Sequence, residues 1–204
     1  MVKKVLVTGF QPFLEFKANP SQRVAEILNG STFGHISFVG AVLPVSYSDI
    51  ENELVQNIRK TNPDLIIGTG LAAGRAKISL EKIAVNYKYS TSPDNDGQKA
   101  SGEKIDQNMP DGIFSFLDVE SLHKSLNEKN IPSQISLSAG AYICNYAMFV
   151  ILREARKEGK LGGFVHLPAD TALASSMKEK NFPSMSLECM VEAIKQISIQ
   201  QLQA

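Results

Sequence analysis

Short apolar runs alternate with stretches of helical period from one end of this chain to the other, and that alternation leaves few folds open. Residues 2–8 read as a buried strand that stops at Gly9. Pro20-Ser21 then caps a helix over residues 22–28, with Val24, Ile27 and Leu28 on one face. Ile36–Leu43 is a second strand, closed by Pro44. A helix opening at Ser48 or Asp49 and running to about Lys60 carries Ile50, Leu54, Val55 and Ile58 at helical spacing. Residues 64–68 (DLIIG) form a short buried strand, and 78–85 are extended. The pattern continues with a helix over 119–127, a strand over 134–137, a helix over 142–157, a strand over 163–167 and an amphipathic helix over 187–202. Helices between strands throughout predict an α/β fold: a three-layer α/β/α sandwich around a central, largely parallel (mixed) sheet.

Length and charge narrow the reading further. A chain of 204 residues with 43% apolar content, no internal repeat and no linker-like stretch supports one core and one domain over residues 1–204. Lys+Arg and Asp+Glu both number 21, so the formal net charge is zero. Nucleic-acid and anionic-membrane partners select a basic face, so neither is expected. The opening MVKKVLVTGF lacks the apolar length and small-residue cleavage site of a signal peptide, and no segment approaches bilayer length. Cys144 and Cys189 are the two cysteines, expected as reduced thiols in a cytoplasmic protein. Residues 88–112, rich in Ser, Asp, Asn, Gly and Pro, lack periodicity and read as a long functional or mobile loop.

Cys144 is the group whose position suggests chemistry. It follows Ser138-Ala139-Gly140-Ala141 and falls in the first turn of a helix, after a sheet strand. Unpaired N–H groups and the positive end of the helix dipole favour a thiolate there and can receive an oxyanion. Read alone, a buried structural cysteine fits as well. A thiol nucleophile needs a base. His35 enters a strand as a surface residue, and a solvated helix position explains His123. His166 ends the strand GGFVH just before Leu167-Pro168, at the carboxyl edge where α/β folds gather reacting groups, and is the best partner. Glu81 in ISLEKIAVN shares a face with Ile83 and Val85 by alternation and is the candidate to orient the imidazole. A surface glutamate beside Lys77 or Lys82 fits it equally. Cys189 reads as a partly buried structural thiol in the closing helix.

GTGLAA at 68–73 matches a dinucleotide fingerprint, but strand-like sequence follows where a helix should hold the pyrophosphate. Neither a nucleotide nor any other cofactor is expected, and no His/Cys spacing indicates a metal.

TGFQPF with NPS downstream, LPVSY, PDLIIGTGLAAGR, ISLEKIAVN, SAGAYICN and GGFVHLP occur in this order across residues 3–195. Together they resemble pyroglutamyl peptidase I, or pyrrolidone-carboxylate peptidase, a family of cytosolic cysteine peptidases. The resemblance implies a Glu–Cys–His triad at Glu81, Cys144 and His166, and removal of an N-terminal pyroglutamyl residue from peptides whose amine is closed into a lactam. It implies a ring slot lined by Phe10 and Phe13, with Tyr142 and Ile143 beside it, and a homo-oligomer, dimer or tetramer. This chain also departs from the family pattern. PFGG becomes Pro12-Phe13-Leu14-Glu15, and a glutamine beside the slot becomes Leu71. An arginine expected near the oxyanion aligns with Thr91, followed by Ser92, and HxPYxP becomes His166-Leu167-Pro168-Ala169-Asp170. A retained triad with an altered shell favours an active peptidase; the alternatives are a different capped N-terminus, or a non-catalytic binding protein on the same fold.

Overall fold

A computed structural model describes residues 2–177 and 181–203. The first half of the chain forms β1 (Lys3–Phe10), α1 (Pro20–Leu28), β2 (Thr32–Phe33), β3 (Ile36–Leu43), α2 (Ile50–Thr61) and β4 (Leu65–Leu71). Short elements follow: β5 (Ile78–Glu81), β6 (Ile83–Val85), β7 (Lys88–Tyr89), β8 (Ser101–Glu103) and β9 (Gly112–Phe114). Then come α3 (Val119–Glu128), β10 (Ser133–Ser136), α4 (Ile143–Glu158), β11 (Leu161–Leu167) and β12 (Ala169–Asp170). The chain closes with α5 (Thr171–Ser176), β13 (Ser184–Met185) and α6 (Leu187–Gln203). No helix among the described residues is long and apolar enough to cross a membrane.

Seven strands make the central sheet in the order β10-β5-β11-β4-β1-β3-β2. β1, β3, β4 and β11 run parallel, whereas β5 lies antiparallel to β11 and β10 runs parallel to β5. The sheet is therefore mixed on the side that carries the candidate chemistry. Strand alternation assigns its faces. Val5, Val7, Leu65, Ile67, Leu80 and Val165 pack toward α1, α3 and α6. Leu6, Ile66 and Phe164 pack toward α2 and α4. Each such buried aliphatic or aromatic side chain contributes about 1.5–3 kcal/mol through removal from water, and the two cores together form the sandwich.

Two expectations are corrected here. The extended run 78–85 is broken: after Glu81 the chain leaves the main sheet, and β6 pairs with β9 in a separate ribbon. Residues 88–112 are not one structureless loop, because β7 and β8 pair within it and β9 begins at its end. Asp94 organises the turn between β7 and β8. Its Oδ1 accepts from the N–H groups of Asp96 (3.0 Å) and Gln98 (2.7 Å), and its Oδ2 from that of Tyr47 (2.8 Å).

Glycine governs how closely α1 approaches the sheet. A Cβ on Gly9 would lie 2.0 Å from the Ser21 carbonyl oxygen, and one on Gly40 1.9 Å from that of Ala25. Both collisions are with helix backbone, which cannot step aside as a side chain could. Gly9→Ala is expected to lose at least about 3 kcal/mol of stability in urea unfolding. Gly74→Ala, with nothing within 4 Å of its new methyl, serves as the neutral control. Equal midpoints for the two would contradict this packing.

Candidate active site

His166 and Phe164 sit two residues apart on β11 and share its α4-facing side; their rings meet edge to face at 5.1 Å. In the antiparallel β5–β11 pair, Glu81 lies opposite Phe164 and Ser79 opposite His166. Glu81 is thus a diagonal neighbour of His166, within reach of a long side chain. Its Oε1 meets His166 Nδ1 at 2.8 Å. The glutamate is fully buried, so a surface position beside Lys77 or Lys82 is ruled out; Lys82 pairs with Glu120 instead.

Burial alone would raise the Glu81 carboxyl, but His166 and Arg75, both bonded to its Oε1, hold it below the usual carboxylate range. Burial likewise works against a charged imidazole. Hydrogen bonds and charge from Cys144 and Glu81 outweigh it and push His166 up to about 9. Cys144 completes the set, near enough to His166 to contribute to that shift. With Nδ1 committed to Glu81, the ring nitrogen left to face sulfur is Nε2.

Cys144 is the second residue of α4, whose N-cap Tyr142 makes no side-chain cap. The first N–H groups of that helix therefore remain available to an incoming oxygen. Gly70 lies beneath the thiol, level with His166 across the β4–β11 pair. A Cβ there would come within 2.9 Å of Cys144 Sγ, so the strand must be bare at this point. Gly68 is likewise bare against Phe164 and Ile151. The glycines of GTGLAA thus serve close packing, and β4 leads by a turn into β5 rather than into a helix.

The strands before Cys144 and His166 do not end at one carboxyl edge, as their common place after a strand leads one to expect: β10 runs against β11, and its end at Ser136 is level with Glu81 and Phe164. The segment 137–142 turns back to set the start of α4 over Gly70.

A narrow crevice, open in part to solvent, lies beside the thiol. Phe10, Phe13, Leu71, Tyr142 and Ile143 line it with Cys144, Val45 and Asn19. Asn19, quoted in NPS but given no role, is the N-cap of α1. Its Oδ1 accepts from the Ser21 N–H (3.1 Å) and hydroxyl (2.7 Å), while its Nδ2 donates to the Gln11 carbonyl (3.1 Å). Ser21 Oγ in turn accepts from the Phe10 N–H at 3.0 Å, so this cap fixes an aromatic wall. The opposite wall is tied down by Tyr142, whose hydroxyl donates to the Pro93 carbonyl at 2.9 Å. Leu14, where the related pattern has glycine, sits at φ 51°, at a cost of about 1–2 kcal/mol for a left-handed non-glycine residue.

Thr91 is not brought to this crevice: it is exposed and absent from its lining. His35 is exposed. His123 is half-buried rather than solvated, with Nδ1 3.0 Å from Ser133 Oγ and 3.0 Å from Asn127 Nδ2. Cys189 is also half-buried, and burial, with Glu192 nearby, pushes its thiol up. Sequence reasoning missed Asn145, a fully buried amide on apolar α4. Its Oδ1 accepts from the Val85 N–H, and its Nδ2 donates to the carbonyls of Val85 and Tyr87. A lone amide within SAGAYICNYAMFV was the available signal, since a buried polar group must find partners. It missed Arg75 too, whose Nη1 donates to Glu81 Oε1 at 2.8 Å.

A family model described as pyroglutamyl peptidase matches residues 3–203. Pyrrolidone-carboxylate peptidase 1 of Saccharolobus solfataricus is 52% identical over 191 residues, covering 94% of this chain and 90% of its own. The pyrrolidone-carboxylate peptidase of Pyrococcus furiosus is 40% identical over 196 residues, 94% of each chain. Crystal structures of the pyrrolidone carboxyl peptidase of Pyrococcus furiosus superpose with a TM-score of 0.95 at 39% identity, covering 98% of both chains.

Proposed function

The chain belongs to the pyroglutamyl peptidase family, and from that premise we propose how its site removes an N-terminal pyroglutamyl residue from a peptide. Cys144 is the nucleophile, His166 the acid and base, and Glu81 the group that orients the imidazole. With the proton already held by His166, Cys144 Sγ adds to the carbonyl joining the ring residue to the next. The resulting oxyanion is received by N–H groups at the start of α4. As the C–N bond breaks, His166 donates its proton to the leaving amine, and a thioester remains. His166 then takes a proton from water, whose oxygen adds to the same carbonyl. The C–S bond breaks, pyroglutamate departs and the thiol is restored.

One observation carries this reading: the buried Glu81–His166 pair and the Cys144 thiol stand at Gly70, on one side of the sheet, at the mouth of an apolar crevice. Among the described residues no carboxylate lines that crevice. A free α-ammonium would enter it without a counter-charge, at a high desolvation cost, whereas a neutral lactam would not. Purified protein should release a fluorogenic amine from a pyroglutamyl reporter at least about 100-fold faster than from prolyl or glutaminyl reporters. Comparable rates on all three would overturn the specificity, and a different capped terminus hydrolysed preferentially would replace the substrate.

The proposal extends to one catalytic domain across residues 1–204, in keeping with α6 packing into the same core as β1 and β11. Two free thiols suit a reducing, cytoplasmic setting. The chain is read as a homo-oligomer, dimer or tetramer; Phe114 and Leu137, 62% and 72% exposed, offer apolar surface for assembly. Light scattering that found only monomer at assay concentration would remove that last part.

A further inference from the structure

The acyl-transfer steps above leave Arg75 without a part, yet it touches the triad carboxylate and the segment that leads to the nucleophile. It lies in the turn after β4, where its N–H donates to the Ala72 carbonyl at 2.9 Å. Its Nη1 meets Glu81 Oε1 at 2.8 Å, the oxygen that His166 Nδ1 also meets at 2.8 Å. Nη1 lies 3.4 Å from Ser136 Oγ, and Nη2 donates to the Ser138 carbonyl at 3.4 Å. Ser136 and Ser138 bracket the exit from β10 into the segment that leads to Cys144. One planar group therefore bridges the triad carboxylate and the backbone that carries the nucleophile.

A carboxylate with no exposed surface, facing only an imidazole, has two easy escapes. It can take up a proton, or rotate its charged oxygen away from the ring. A guanidinium opposes both: its charge favours the ionised carboxylate, and its rigid fork fixes direction as a flexible ammonium does not. Arg75 also adds a second cation near the imidazolium. Its side chain is 33% exposed, so water screens that repulsion.

We propose that Arg75 is a positioning residue of this reaction, holding Glu81 ionised and aimed at His166 Nδ1 while tying it to the segment that presents Cys144. The proposal rests on the acyl-transfer reading of the triad. The test uses the parent chain, Arg75→Met, Arg75→Lys, Glu81→Gln and the Arg75→Met/Glu81→Gln pair. For each, kcat and KM on the pyroglutamyl reporter are measured from about pH 5 to 10, alongside the rate of Cys144 alkylation by iodoacetamide. Arg75→Met should lower kcat about 10–100-fold, the usual effect of losing a group that orients a reacting residue, with KM little changed. Its acid limb should move to higher pH, because Glu81 is less firmly ionised. Arg75→Lys should recover the limb and part of the rate. On the Glu81→Gln background, Arg75→Met should cost less than about twofold, since its target is already gone.

An Arg75→Met enzyme within twofold of the parent, with the same acid limb, would overturn the proposal. So would a loss of equal size on the Glu81→Gln background, which would mean that Arg75 acts elsewhere. If Arg75→Met fails to fold by circular dichroism, Arg75→Gln replaces it in both backgrounds. A parent that alkylates at Cys144 but releases no reporter would refute the substrate, not Arg75; the alkylation profiles then decide by the same comparisons.

Discussion

Cys144→Ala is expected to reduce reporter hydrolysis to background, a loss on the order of 10⁵–10⁶ in kcat as for removal of a covalent nucleophile. Sγ is the atom that forms the bond to the substrate carbonyl, and no other sulfur is placed to substitute. Cys189 lies on α6, which packs on the face of the sheet opposite α4. Cys189→Ala should therefore retain parental rates. Measuring both variants on one reporter separates loss of the nucleophile from general thiol damage. Activity surviving in Cys144→Ala would discard the nucleophile assignment and the thioester with it.

Glu81→Gln should cost about 10⁴-fold in kcat, the effect of amidating the carboxylate of a triad. The amide keeps the shape of the side chain but not the charge that stabilises the imidazolium. It can also present an N–H to Nδ1 and favour the wrong tautomer. The pH dependence follows from the direction of the His166 shift. Its folded pKa, pushed up to about 9, lies above the ordinary value of about 6.5. Stability from the charged ring is therefore fully present below about pH 6.5 and lost as pH rises through about 9. Removing the Glu81 charge lowers that upper limit, so the alkaline limb of activity in Glu81→Gln should move to lower pH. A variant within tenfold of the parent, with an unmoved alkaline limb, would refute the orienting role. Thermal unfolding of the parent should lose this excess stability as pH rises through about 9, and Glu81→Gln should show less of it.

Most of the long elements were legible because they carry a strong period. α2 buries Ile50, Leu54 and Ile58 at helical spacing, and β4 is buried along its length. The short ribbons within residues 88–112 were not legible. A strand of two or three residues, such as Lys88–Tyr89, has too few positions to alternate. The break after Glu81 was hidden for a related reason, since β5 and β6 each keep strand character and only their partners differ. The crevice residues were named only through the family resemblance, not by residue type or period, and the fold adds Val45 and Asn19 to the lining. Thr91 is exposed and outside the crevice lining; matching order along a chain fixes a position in sequence, not which way a turn faces.

The sequence by itself determined the layered α/β class and the candidate identities of nucleophile, base and orienting acid. These depend on residue type and local period, which a linear chain displays directly. Tertiary structure decided that β5 and β10 run against β11, that Glu81 reaches across 85 positions to His166, and that Arg75 joins them. A strand has the same two-residue alternation in either direction, so periodicity cannot reveal its sense. Which charges meet inside a protein is set by that sense and by the exclusion of water, and neither is written in local pattern.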